Sequence, residues 1–101
     1  MSVDAGTSFR NIGEFSDVPP VAVTNAAATS HTITAGKGFV FFMNVGNKIV
    51  WYGGSTVDPA TSRGAKLLPN SGFAIEQPSQ TFKVYFKTAS GDTSTIGVVE
   101  G

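Results

Sequence analysis

One stretch, Lys37 to Ser55, constrains the fold of this chain more than any other: Lys-Gly-Phe-Val-Phe-Phe-Met-Asn-Val-Gly-Asn-Lys-Ile-Val-Trp-Tyr-Gly-Gly-Ser. Phe39 to Asn44 and Lys48 to Tyr52 are rich in β-branched and aromatic side chains, which suit a pleated, half-buried surface. Between them Val45-Gly46-Asn47 reads as the turn of a β-hairpin, and Gly53-Gly54 closes the second strand. In the first run Phe39, Phe41, Met43 and Val45 share one face, and Val40 and Phe42 share the other. Both faces are apolar, as in a central strand covered on two sides, with the second cover coming from another subunit. Trp51 shares its parity with Ile49 on the second strand and is expected to be a buried anchor.

The remaining strands follow from shorter signals. Val21 to Thr24 and Ser30 to Thr34 read as strands, and Ala35-Gly36-Lys37-Gly38 as a turn. Lys66-Leu67-Leu68 and Phe73 to Glu76 return to the sheet on either side of Pro69-Asn70-Ser71-Gly72. Thr81 to Thr88 shows the cleanest alternation, with Phe82, Val84 and Phe86 inward and Lys83, Tyr85 and Lys87 outward. Ser94 to Glu100 is the last strand, with Ile96 and Val98 inward. The total of about eight short strands at roughly ten-residue spacing predicts an all-β fold, an antiparallel β-sandwich or small jelly roll. With 101 residues the chain is one domain, a sandwich over 21–101 preceded by an arm over 1–20. The arm holds Phe9, Ile12 and Phe15 among glycines and prolines. It reads either as an extended segment lying across a neighbour or as an ordinary N-terminal strand and loop. The segment Gly53 to Lys66 is a long polar loop, a length that usually serves a purpose.

Composition narrows function by exclusion. Charged residues are 14% of the chain, against roughly 25% in ordinary soluble domains. A surface so lightly charged points to partners that cover it, through contacts mainly apolar and hydrogen-bonded. Seven basic and seven acidic residues cancel, which argues against nucleic acid and anionic membranes as partners. The chain has no cysteine, and with it go disulfides, thiolate metal sites and a cysteine nucleophile. No run approaches the length of a membrane span. The start, Met-Ser-Val-Asp-Ala-Gly-Thr-Ser, has no basic and apolar leader pattern, so synthesis and assembly are expected in a cytoplasm.

Chemistry-bearing residues are sparse. His31 is the single histidine, without a metal-ligand partner near it in sequence, and no Gly-x-Ser-x-Gly frames any serine. The carboxylates are Asp4, Glu14, Asp17, Asp58, Glu76, Asp92 and Glu100, most of them placed as turn or arm residues, and the sequence pairs none. No reaction emerges, no metal or cofactor is implied, and the expectation is a protein that is not an enzyme. Lys83, Tyr85 and Lys87 form a basic and aromatic stripe, more economically read as a solvated face than as a base-stacking platform. Trp51 and Tyr52 beside the long loop suggest a sugar platform as a second possibility.

From Asn44 onward the order Asn-x-Gly, Ile-Val-Trp-Tyr-Gly-Gly-Ser, x-Val-x-x, Lys-Leu-Leu-Pro and Tyr-Phe-Lys-Thr-Ala-Ser-Gly resembles small β-sandwich structural proteins of tailed bacteriophages. The matching positions are Asn44, Gly46, Trp51, Tyr52, Gly53, Gly54, Ser55, Val57, Leu67, Ala89, Ser90 and Gly91. This resemblance implies a virion component, either a capsid decoration (cement) protein or a tail-associated one. Its partners would be other virion proteins, major capsid or tail, and further copies of itself. Contact elements are expected in the arm (Phe9, Ile12, Phe15), the loop Thr56 to Arg63 with Val57, and the hairpin (Val40, Phe42, Trp51, Tyr52). Two rivals remain at this point: a carbohydrate-binding adsorption module using Trp51 and Tyr52, and a small enzyme with His31 beside a carboxylate and a Ser or Thr.

Overall fold

The computed structural model describes residues 16–101, and the expectations placed on Phe9, Ile12 and Phe15 lie outside them. Eight strands follow one another: β1 (Ser16–Val23), β2 (Thr29–Ile33), β3 (Phe39–Asn44), β4 (Val50–Gly53), β5 (Ala65–Leu67), β6 (Gly72–Glu76), β7 (Phe82–Thr88) and β8 (Ser94–Glu100). They form two four-stranded antiparallel sheets: sheet A in the order β1-β8-β3-β6, and sheet B in the order β2-β7-β4-β5. First pairs with last, β2 with β7, β3 with β6 and β4 with β5. That is one long antiparallel ribbon wound on itself, the eight-stranded jelly roll. Because β1 begins at Ser16, the sandwich takes in Ser16 to Pro20, which the sequence reading had assigned to the arm. Among the described residues no helix is long and apolar enough to cross a membrane.

The expected β3–β4 hairpin does not form. β3 pairs with β6 and β8 in sheet A, while β4 pairs with β5 and β7 in sheet B. Asn44 is the physical reason. It ends β3 with its side chain inward and fully buried. Its Nδ2 donates to Lys48 O at 2.7 Å and to Leu67 O at 2.9 Å. Its Oδ1 accepts from Gly46 N at 3.1 Å and from Ser94 Oγ at 2.7 Å. A primary amide offers two donors and an acceptor oxygen with two lone pairs, so its capacity is filled. The segment between β3 and β4 therefore wraps around this side chain and crosses to the other sheet. Gly46 is required at the crossing, since a Cβ there would collide with Ser94 Oγ.

The core lies between the sheets. Val21, Val23, Ile33, Val40, Phe42, Val50, Leu67, Val84, Phe86, Ile96 and Val98 fill it. Phe42 is central, with ring centroids 5.4 Å from Phe86, 5.1 Å from Phe73 and 5.6 Å from His31. The alternation read in β7 holds for Val84 and Phe86, whereas Phe82, at the start of the strand, is 42% exposed. Inward residues of β8 run Ser94, Ile96, Val98, Glu100, polar at both ends and apolar between.

Replacing Asn44 by Ala orphans two carbonyls, one amide and one hydroxyl. Each buried unsatisfied group costs about 1–3 kcal/mol, and some will rehydrate, so a loss of at least ~3 kcal/mol is expected. Asn44→Asp, nearly isosteric, places an oxygen against the carbonyls of Lys48 and Leu67 and should be as damaging. Urea unfolding of both variants measures this, and a loss under ~1 kcal/mol would contradict it.

Candidate binding surface

Register decides which side of sheet B each β4 residue occupies. Val50 lies opposite Thr88 and Leu67, and all three are buried. Trp51 must then face out, opposite Lys66 on one side and Lys87 on the other. The expectation of a buried Trp51 is corrected accordingly: it is half-buried on the outer face, and Lys66 Nζ sits 5.6 Å from its ring centroid. Tyr52 takes the opposite parity, turns inward and stacks on Phe73 at 4.5 Å with 19° between the rings. The two aromatics thus point to opposite sides of the sheet, and the paired sugar platform does not form. Val40 and Phe42, expected as contact residues, have no exposed surface and belong to the core.

The long loop after β4 is ordered by its own bonds. Asp58 Oδ1 accepts from Ala60 N at 3.1 Å and Oδ2 from Thr61 Oγ1 at 3.2 Å, capping a single 3-10 turn at Pro59–Thr61. Asp58 and Arg63 exchange backbone bonds of 2.9 Å at its neck. Val57, expected at a contact, is only 5% exposed because it is tucked beneath this loop against Gly53 and Gly64. Gly64 is needed for that fit: its φ is +112°, and a Cβ would lie 2.7 Å from both Tyr52 O and Val57 Cγ2. The folded loop brings Asp58 Oδ1 within 3.8 Å of Lys87 Nζ. It also sets Pro59 beside Trp51.

The result is an open depression of about 460 Å³ on the outer face, whose lining includes Ile49, Trp51, Pro59, Lys66, Pro69 and Asp92. Ile49 is 37% and the neighbouring Leu68 51% exposed. Lys83 and Tyr85 face outward on β7 as expected, so Trp51 joins a stripe the sequence had assigned to β7 alone. An aromatic ring, aliphatic neighbours and lysines thus share one outer face, the residue types from which interface anchors are drawn.

His31 has no metal-ligand partner near it in sequence, but the fold brings a carboxylate to it: its Nε2 is 3.0 Å from Glu100 Oε2, and Lys37 Nζ is 3.5 Å from Glu100 Oε1. The pair is mostly buried and joins β2 of sheet B to β8 of sheet A, with the imidazole edge-on to Phe42. No sequence signal could announce it, since the two residues are 69 positions apart. Among the described residues no hydroxyl bonds to His31, and no group of three His, Cys, Asp or Glu is placed to hold a metal. As arranged, the cluster ties the sheets together at the end of the core opposite Asn44.

Comparison with family models, with curated proteins and with solved structures finds no match to this chain.

Two substitutions separate surface from core. Trp51→Ala should cost about 1–2 kcal/mol, below the ~3–5 kcal/mol expected of Phe42→Ala. Denaturation midpoints compared at equal slope check the order, and a Trp51 loss equal to that of Phe42 would place the indole back in the core. Glu100→Ala leaves a mostly buried imidazole without its partner and should cost about 1–3 kcal/mol in the same assay.

Proposed function

We propose that the protein is a non-catalytic structural component of a bacteriophage particle, a jelly-roll module that docks on the assembled capsid or tail. One observation carries the reading: the chain's single tryptophan stands on an outer sheet face, while the core closes without it. Large aromatics dominate binding energy where they are desolvated by a partner, and a half-covered tryptophan beside exposed Ile49 and Leu68 offers that. Jelly rolls recur in viral capsids and in lectins, so the fold agrees with the reading without selecting it. The resemblance from Asn44 to Gly91 points the same way, and two of its glycines have structural reasons: a Cβ at Gly46 would collide with Ser94 Oγ, and Gly91 has a φ of +83°.

The mechanism is mass action. A module that binds only the assembled shell or tail stabilises that state, and many copies together resist its loss. Attachment should centre on Trp51, with the lysines as a solvated rim. Trp51→Ala should weaken binding to particles lacking the protein by roughly thirtyfold or more, about 2 kcal/mol. Lys83→Ala should change it less than about fivefold, as expected of an exposed charge. Co-sedimentation of purified protein with such particles measures both. Equal binding by the Trp51 variant and wild type would remove this surface from the contact, and no binding by wild type would remove the reading.

A further inference from the structure

The four sheet edges of this sandwich are not treated alike. β1 carries Pro19 and Pro20 and a register shift between Val18 and Val21, both of which spoil an edge for pairing. β5 is three residues long and presents Lys66. β2 lies against β1 of the other sheet. β6 has none of these protections: Gly72–Glu76 pairs with β3 in unbroken register and contains neither proline nor lysine.

The flanking bonds reveal which β6 groups are free. Asn44 N donates to Ser71 O at 2.9 Å, and Gln77 N donates to Gly38 O at 2.9 Å. Antiparallel pairs alternate, so Phe73 and Ile75 share the parity of Ser71 and Gln77 and bond to β3. Gly72, Ala74 and Glu76 then direct their N–H and C=O groups away from the sheet, and no described residue bonds to them. Beneath this edge Phe73 and Ile75 pack inward yet stay half-buried, and Tyr52, stacked on Phe73, does too. The edge therefore leaves both hydrogen-bonding capacity and apolar surface incomplete.

We infer that β6 is a self-pairing edge: two copies of this chain join β6 to β6 about a two-fold axis at Ala74. The segment is complementary to itself in that arrangement. Ala74 exchanges both backbone bonds with Ala74 of the second copy, and Gly72 exchanges both with Glu76 in each direction. Phe73 then lies across from Ile75 of the other copy on the core side, so the half-buried side chains cover one another. The two Glu76 carboxylates sit at opposite ends and do not meet. Two sheets A become one continuous eight-stranded sheet, with an isologous interface. The Trp51 surface is on sheet B and remains free, so the inference does not depend on the proposed particle contact.

The experiment is sedimentation equilibrium of the full chain over a concentration series, with circular dichroism confirming that each variant is folded. Wild type should dimerise with a dissociation constant on the order of 0.1 mM, as fits a small interface. Ala74→Pro removes the outward N–H while sparing the bonds to β3, and should be monomeric. Ala74→Lys and Ala74→Glu each set like charges directly opposite one another and should be monomeric alone. Mixed together, those two should restore a dimer, and this arm decides the matter even if the proline variant fails to fold. A wild type that stays monomeric up to about 1 mM overturns the inference. So does a dimer that survives both charge substitutions, or a mixture that fails to re-form one.

Discussion

The structure depends on one buried side chain. Asn44 closes β3, and its amide reaches Lys48 in the crossing, Leu67 on β5 and Ser94 on β8. Its backbone adds bonds to Ser71 and Asn70 ahead of β6. Strands from both sheets are thus held at one residue. An amide in an apolar interior is costly unless every donor and acceptor is met, and its stringency is what makes it specify a single arrangement. Hydrophobic burial drives the two sheets together without direction. The amide fixes which strand crosses to which sheet.

That crossing sets everything outside the core. Once Val50 is committed inward beside Thr88, Trp51 has no choice but the outer face, and Tyr52 turns back to Phe73. Gly64 then leaves room for Val57 beside Tyr52, and the loop folds down over it to bring Pro59 and Asp58 beside the tryptophan row. The outward Trp51 face is a consequence of register, as is the His31–Glu100 pair at the other end of the core. Inward polar residues at both ends of β8 let the sandwich finish at each end in satisfied bonds rather than in exposed apolar rings.

Much of the fold was legible because alternation is a local signal. In β7 and β8 polar and apolar residues alternate, and the inward set of Val84, Phe86, Ile96 and Val98 was read correctly. In β3 and β4 both parities are apolar, so the pattern states that a strand is present but not which side faces the core. Parity alone allows Ile49 and Trp51 as the inward pair, whereas Val50 and Tyr52 hold that place. Val45-Gly46-Asn47 carries turn chemistry that serves equally for a hairpin and for a change of sheet. The atoms that choose between them belong to Leu67 and Ser94, 23 and 50 positions from Asn44, beyond any local reading. Glu100 escaped notice as the partner of His31 for the same reason.

The most direct measurement of this account is the strand-pairing map from backbone nuclear Overhauser effects. A jelly roll turned at Asn44 predicts cross-strand contacts of Phe42 with Val98 and Phe73, and of Tyr52 with Phe86 and Ala65. A ladder joining Phe42 to Val50 and Val40 to Tyr52, with those other contacts missing, would show the local hairpin instead. It would contradict the role assigned here to the Asn44 amide.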